Sequence, residues 1–433
     1  MSNSPSHAKI VLDMKRRNLT RLHGTLIAVL CLSALFLTHV CWGQDEGPIR
    51  FNVPSPPVVA AASAILMDAT TGTVLWEQNA DQPRPPASLT KVMTALLILE
   101  GGRLGDWVTV TPTVLEGWGS CAGLKPGERI VMRDLLYAIL LKSANDACLV
   151  AAEYVDGSVT AFVEHMNQRA RKLGATNTHF VNPHGLHDDA HVSTARDMAA
   201  IARCALQNVI FRTVSNRKTE TIHWQGYEGR NTLQLINKNK LLWRYDEADG
   251  VKTGYTKQAG NCLIASATRG DWQLLSVVMK SPGTWDESEK LLRYGFNTFR
   301  DVRLFPAEGV VTTVKIRKGA RPALELVAKS ALAAVVPAGR EGLVHYHNIL
   351  KLHPAPIRAG EQLGWVVAEN HGHELARVPL VAARPVEKAL VYQIIPRLLL
   401  WGGVALGILC LRNAYAKTAK GPRRRRRRVS SRR

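Results

Sequence analysis

No Cys-x-x-Cys pair occurs anywhere in the 433 residues, which leaves a zinc site or a thioredoxin-like redox motif without support. Cysteine is sparse altogether. Cys31, Cys41 and Cys410 sit in apolar end segments, and Cys121, Cys148, Cys204 and Cys262 are spread through the middle. An even number of thiols in an exported body permits disulfides, but buried thiols acting as small apolar side chains are the favoured reading. No lipobox precedes Cys41, the sequence there being Leu37-Thr38-His39-Val40-Cys41. No internal repeat is evident, which argues against solenoids and propellers. The only low-complexity segment is the arginine run Arg423 to Arg428.

What is abundant is positive charge. The formal net charge of +21 points first to a polyanion partner, but its distribution does not. Residues 1–43 carry +4 and residues 412–433 carry +11, leaving +6 for the body between them. An apolar run at 25–42 follows the first basic stretch, the layout of a secretory signal with Cys41 and Gly43 at positions −3 and −1. No A-x-A site is present, so an uncleaved N-terminal helix stays open. A second apolar run, 389–411, is long enough to cross a bilayer. Pro396 and Arg397 interrupt it, and the expectation is that its first turn lies in the interface with Arg397 reaching headgroups. The arginine-rich tail that follows belongs on the cytoplasmic side, which makes 44–388 external. The competing reading, a buried core helix followed by a nucleic-acid-binding tail, would demand steep salt dependence. The agreement of export at one end with retention at the other favours the membrane.

Between the ends, residues 44–58 read as a proline-rich linker. Residues 62–80 read as a hairpin around Thr70-Thr71-Gly72. Helical patterns follow at about 88–100, 132–141, 145–155, 159–172 and 194–207, strand runs at about 248–254, 261–268 and 272–280, and a helix at about 284–299. Strands at both ends with helices between imply an α+β domain, an antiparallel sheet carrying an all-α insertion. Near residue 303 the composition changes to short alternating runs punctuated by Gly and Pro, expected to form a small β-domain before the membrane helix. The expected boundaries are 1–43 signal or membrane segment, 44–58 linker, 59–300 first domain, 303–386 β-domain, 389–411 anchor and 412–433 basic tail.

Three short motifs carry the chemistry. Ser88-Leu89-Thr90-Lys91 opens an apolar helix, and positions i and i+3 share a helix face. A serine hydroxyl needs a base to become a nucleophile, and a buried lysine can serve as one. Ser6/Lys9 and Ser215/Lys218 match the same spacing but lack an apolar helix behind them. Ser143-Ala144-Asn145 falls on a helix–helix turn, where helix capping is the competing role. Lys252-Thr253-Gly254 lies on a strand, where a glycine admits close approach of a ligand and Lys and Thr can hold a carboxylate. Each triplet alone is weak. Their joint occurrence in this order is specific.

Together with ILMDATTGTVLWEQNAD, FVNPHGLHD, STARDMA, NKNKLLWRY and DGVKTGYTKQAGNCLIASA, these motifs resemble the low-molecular-weight penicillin-binding proteins, the serine-type D-alanyl-D-alanine carboxypeptidases, over about residues 57–388. The resemblance implies the penicillin-binding fold followed by the family's C-terminal β-domain. It implies that Ser88 attacks the peptide bond between two D-alanines, Lys91 takes its proton, Ser143 relays that proton and Asn145 positions the substrate amide. Lys252 lowers the pKa of Lys91 and, with Thr253, binds the substrate carboxylate; Gly254 completes the motif. The N–H groups of Ser88 and Tyr255 form the oxyanion hole. Implied partners are stem peptides ending in D-Ala-D-Ala, β-lactams as inhibitors and the bacterial membrane; no cofactor, metal or specific nucleic acid is implied. Ala144 stands where Gly is frequent, Lys142 where an uncharged residue is usual, and Lys238 where some relatives place a carboxylate-binding arginine.

Class A β-lactamases share these motifs but need a deacylating glutamate, and THFVNPHGLHDD contains none. A DD-endopeptidase acting on crosslinks and a non-catalytic wall-binding scaffold remain as alternatives. His184 to Asp189 reads as a polar loop, not a metal site. Arg196-Asp197 reads as a buried pair or helix cap.

Overall fold

The computed structural model describes residues 55–418; the signal-like segment, most of the linker and the arginine run lie outside the described residues. The chain opens with the expected hairpin, β1 (Ser63–Asp68) and β2 (Val74–Gln78). The Asp68 carboxylate ties its turn by accepting from Thr71 N at 2.5 Å and Thr71 Oγ1 at 2.6 Å. A 3-10 turn, Ala87–Thr90, runs into α1 (Lys91–Glu100). Next come β3 (Trp107–Thr109), β4 (Arg129–Val131), α2 (Met132–Tyr137), a π-turn (Ala138–Lys142), α3 (Asn145–Asp156), α4 (Val159–Lys172), α5 (Ala195–Leu206) and α6 (Val209–Ser215). The hairpin β5 (Thr219–Gly226) and β6 (Gly229–Ile236) leads to β7 (Ala248–Thr256), β8 (Gly260–Arg269), β9 (Trp272–Ser281) and α7 (Thr284–Thr298).

The main sheet is antiparallel in the order β2-β1-β9-β8-β7, so strands from the two ends of the domain meet at its centre. Both faces are covered. Successive side chains on a strand point to opposite faces, and accordingly Ile65 joins the cluster of Met93, Leu97 and Met198, while Leu66 joins that of Leu291, Leu292 and Phe296. This double burial explains why these strands read as continuous apolar runs. Each fully buried aliphatic contributes roughly 1.5–3 kcal/mol. Trp272 adds an indole N–H donated to the buried Asp68 carboxylate at 2.8 Å.

A second sheet, β3-β4-β5-β6, has no counterpart in the sequence reading. Its first two strands have three residues each, too short for a period-2 pattern to register.

The β-rich domain starts at Phe299, directly after α7 and a few residues before the composition change. β10 (Phe299–Phe305), β11 (Val310–Lys315), β12 (Ala323–Ala328), β13 (Leu332–Pro337), β14 (His345–Leu350), β15 (Gln362–Asn370) and β16 (His373–Ala382) form a two-stranded and a five-stranded sheet, β10-β13 and β11-β12-β16-β15-β14, around Leu326, Leu332, Val366 and Leu380. Val335 reaches into the first domain's core, and Arg303 donates to the Asp271 carbonyl at 2.5 Å.

The final element, α8 (Leu390–Thr418), runs unbroken through Pro396. Pro396 lacks an N–H donor and its ring crowds the carbonyl four residues back, yet the helix continues on both sides of it. The apolar stretch Leu390–Tyr415 has 26 residues, about 39 Å at 1.5 Å per residue, against a hydrocarbon core of about 30 Å. All of it is exposed.

Candidate active site

The three motifs converge on one cleft of about 780 Å³, lined among others by Ser88, Ser143, Asn145, Lys238, Thr253, Gly254 and Tyr255. Ser88 sits in the 3-10 turn at the foot of α1. The chain enters that turn through Ala87, which adopts a left-handed φ of 49°. Two groups hold Ala87 there. His191 Nδ1 accepts from Val181 N at 3.0 Å, so the imidazole's other nitrogen carries the proton and faces Thr90 Oγ1 at 2.8 Å. The Thr90 hydroxyl then donates to the Ala87 carbonyl at 2.8 Å. Burial keeps His191 neutral, its pKa lowered to about 4.

Lys91 is fully buried and all three protons of its ammonium find acceptors: Ser88 Oγ at 3.1 Å, Asn145 Oδ1 at 2.7 Å and the His184 carbonyl at 2.6 Å. Burial lowers its pKa to about 8. Lys252, equally buried, donates to the Thr253 carbonyl at 3.0 Å. Burial first, then repulsion by Lys91 and Lys238, pushes it well below the ordinary lysine range. Two amines in one dry site cannot both hold a proton easily.

Ser143 follows the π-turn with φ 64°, a break that turns the chain sharply from α2 into α3. Neither Ser143 nor Asn145 caps α3; Asn145 donates instead to the Trp118 carbonyl at 2.5 Å and accepts from Lys91. Its neighbour Asp146 gathers the backbone N–H groups of Ala122, Gly123 and Leu124 at 2.9, 2.8 and 3.2 Å, which fixes the 118–124 wall.

Gly254 is required for a reason other than ligand approach. A Cβ there would lie 3.1 Å from the Pro86 carbonyl and 3.2 Å from the amide nitrogens of Ser88 and Leu89. The glycine lets β7 lie against the Ser88 turn. Gly185, φ 83°, approaches closer still, its missing Cβ pointing to within 1.9 Å of the Ala87 carbonyl.

Lys238 reaches the cleft and donates to Ser120 Oγ at 2.8 Å. Lys142 does not line it, although its charge helps to lower the pKa of Lys238, second to burial. Arg196 and Asp197 do not pair with each other: Arg196 binds Asp81 and Glu77, while Asp197 accepts from Asn177 N and Thr178 Oγ1. Cys121, Cys148, Cys204 and Cys262 are free thiols. Ser120, Trp118, Asp146 and His191 gave no signal in the sequence, and His184 read only as part of a polar loop, because they act through backbone atoms or tertiary contacts that no spacing encodes.

Comparison with known proteins agrees with this geometry. Residues 51–283 match the family model described as D-alanyl-D-alanine carboxypeptidase, and residues 299–388 match the C-terminal domain of penicillin-binding protein 5. The chain is 34% identical to D-alanyl-D-alanine carboxypeptidase DacF of Bacillus subtilis over 76% of its own length and 86% of the relative's. It is also 34% identical to DacC of Escherichia coli, over 77% and 86%. The structure of penicillin-binding protein 5 from Haemophilus influenzae superposes with a TM-score of 0.66 at 32% identity, covering 77% of this chain and all of that one. With two domains matched in order and three motifs meeting in one cleft, the chain belongs to the D-alanyl-D-alanine carboxypeptidases of the low-molecular-weight penicillin-binding protein family.

Proposed function

We propose that the body of the chain works outside the cytoplasm, tethered by α8, and releases the terminal D-alanine from peptidoglycan stem pentapeptides through an acyl-enzyme on Ser88. Lys91, as the free amine, takes the Ser88 proton while Oγ attacks the D-Ala-D-Ala carbonyl. The backbone N–H groups of Ser88 and Tyr255 receive the oxyanion. Ser143 passes the proton to the departing amine as the C–N bond breaks, and Asn145 holds both Lys91 and the substrate amide. Water then attacks the ester, Lys91 again acting as base, and restores Ser88. β-Lactams present a similar strained amide and stop at the acyl stage.

Lys252, Thr253 and Lys238 hold the substrate's terminal carboxylate. Its arrival supplies the negative charge that a dry Lys252 lacks. A proton then settles on Lys252, and repulsion keeps Lys91 neutral and ready as a base.

The observation that carries this reading is the 3.1 Å contact of Lys91 Nζ with Ser88 Oγ inside a cleft whose lining holds Lys238 and Lys257 and, among the described residues, no Asp or Glu. Such a lining suits a substrate that ends in a carboxylate. The test is mass spectrometry of a pentapeptide ending in D-Ala-D-Ala, incubated with the full chain. The expected product is shorter by one alanine, and Ser88→Ala lowers the rate by at least about 10⁴-fold. Undiminished release by Ser88→Ala, or penicillin labelling that survives it, overturns the reading.

A further inference from the structure

Part of the body's positive charge gathers at one place. The turn between β11 and β12 and the segment entering α8 are stitched together at the foot of the β-domain. Ala320 N donates to the Glu387 carbonyl at 2.8 Å and Ala389 N to the Lys318 carbonyl at 2.9 Å. Ala355 N donates to the Arg317 carbonyl at 3.0 Å. These bonds bring Arg317, Lys318, Arg321 and Lys388 around the first turn of α8. All four are exposed, and among the described residues none has a carboxylate partner. Glu387 is the single acid in residues 317–321 and 387–389. The Lys318 ammonium lies 5.8 Å from the ring centroid of Tyr392, an aromatic on the first turn of the apolar helix.

We propose that this collar is a binding surface for anionic phospholipid headgroups of the outer leaflet, seating the β-domain on the membrane around its anchor. The inference rests on α8 being that anchor. If Leu390 is where the apolar span begins, Lys388 and the 317–321 turn lie within about one Debye length, roughly 8–10 Å, of the headgroups. Unpaired cations there meet phosphate instead of carboxylate, and the tyrosine takes the interfacial position that aromatic rings favour. Positive charge at the outer end of a helix also opposes the inside-positive bias. Only the eleven cations of residues 412–433 allow it, so these four serve something other than orientation.

The test uses the full chain with a photo-crosslinking amino acid at the exposed Ala320, reconstituted in nanodiscs. The discs contain zwitterionic lipid alone or about one third anionic phosphatidylglycerol, and anionic lipid is expected in the adducts at about threefold or more above its share of the disc. The quadruple variant Arg317→Ser, Lys318→Ser, Arg321→Ser, Lys388→Ser, with its arginine tail intact, returns the adducts to the bulk ratio while cleaving soluble peptide as before. Soluble glycerol phosphate in equal amount leaves the enrichment unchanged, which separates a leaflet from a free phosphate. Adducts at the bulk ratio in the unaltered protein overturn the proposal. Extraction of the chain by alkaline carbonate overturns the anchor reading instead.

Discussion

Lys91 titrating near 8 is still mostly protonated at neutral pH. With the free amine as the proposed base, kcat/KM for D-alanine release is expected to rise with pH, pass its half-maximum near 8 and level off above; a pH–rate profile on a pentapeptide checks this. A profile flat from pH 6 to pH 9 would contradict the role given to Lys91. The same burial has a stability sign. The folded pKa lies below the unfolded value, so the unfolded chain binds more protons between about 8 and 10.5. Burying the ammonium therefore disfavours the fold at every pH below 8, and the penalty is relieved as pH rises through that window. Lys238 offers a second test at this scale. Its ammonium faces the cleft on the Ser120 hydroxyl, so Lys238→Ala is expected to raise KM by about tenfold with a smaller effect on kcat, as loss of one charged contact to a carboxylate does.

Where elements meet, backbone proximity governs. β7 can lie against the Ser88 turn only because position 254 has no side chain. Gly254→Ala would push the strand away by a few tenths of an ångström, enough to misalign Tyr255 N–H and the Ser88 hydroxyl. We expect kcat/KM to fall by about 10- to 100-fold, with a protein that still melts cooperatively; steady-state kinetics beside a thermal melt distinguish misalignment from unfolding. Asp146 makes the corresponding contribution on the opposite wall. Asp146→Asn removes the charge from all three bonds and turns an NH2 donor toward at least one of the N–H groups of residues 122–124. A loss of about 1–3 kcal/mol in stability is expected from denaturant unfolding, with weakened substrate binding through the displaced Trp118 and Ser120.

On the scale of the whole molecule, the apolar α8 shares no core with either domain, and the cleft lies wholly within the first. Removing residues 389–433 is therefore expected to release the protein from membranes while leaving kcat/KM on a soluble pentapeptide within about twofold; sedimentation and peptide assay report the two effects separately. A large loss of activity on soluble peptide would mean that the helix does more than tether. The β-domain is joined to the first domain through Val335 and Arg303, so under the proposed anchoring by α8 it would be a spacer of set length between membrane and cleft.

By itself the sequence determined the α+β first domain, the β-domain after it, the apolar helix, and the motif residues that meet in the cleft. Strand and helix periods, and three motifs in a fixed order, are local features that survive in one dimension. It left β3 to β6 unread: β3 and β4 have three residues each, too few to show a period, and β5 and β6 are eight-residue strands rich in polar side chains. Tertiary structure alone decided how the amines of Lys91 and Lys252 are dried, and that Gly254 serves the packing of β7. It also decided that the His191 imidazole, the His184 carbonyl and the Asp146 carboxylate hold the site and that four cations gather where the chain enters α8. Each of these depends on atoms many residues apart being brought within a few ångströms, and burial, repulsion and clash at that range leave no trace in spacing along the chain.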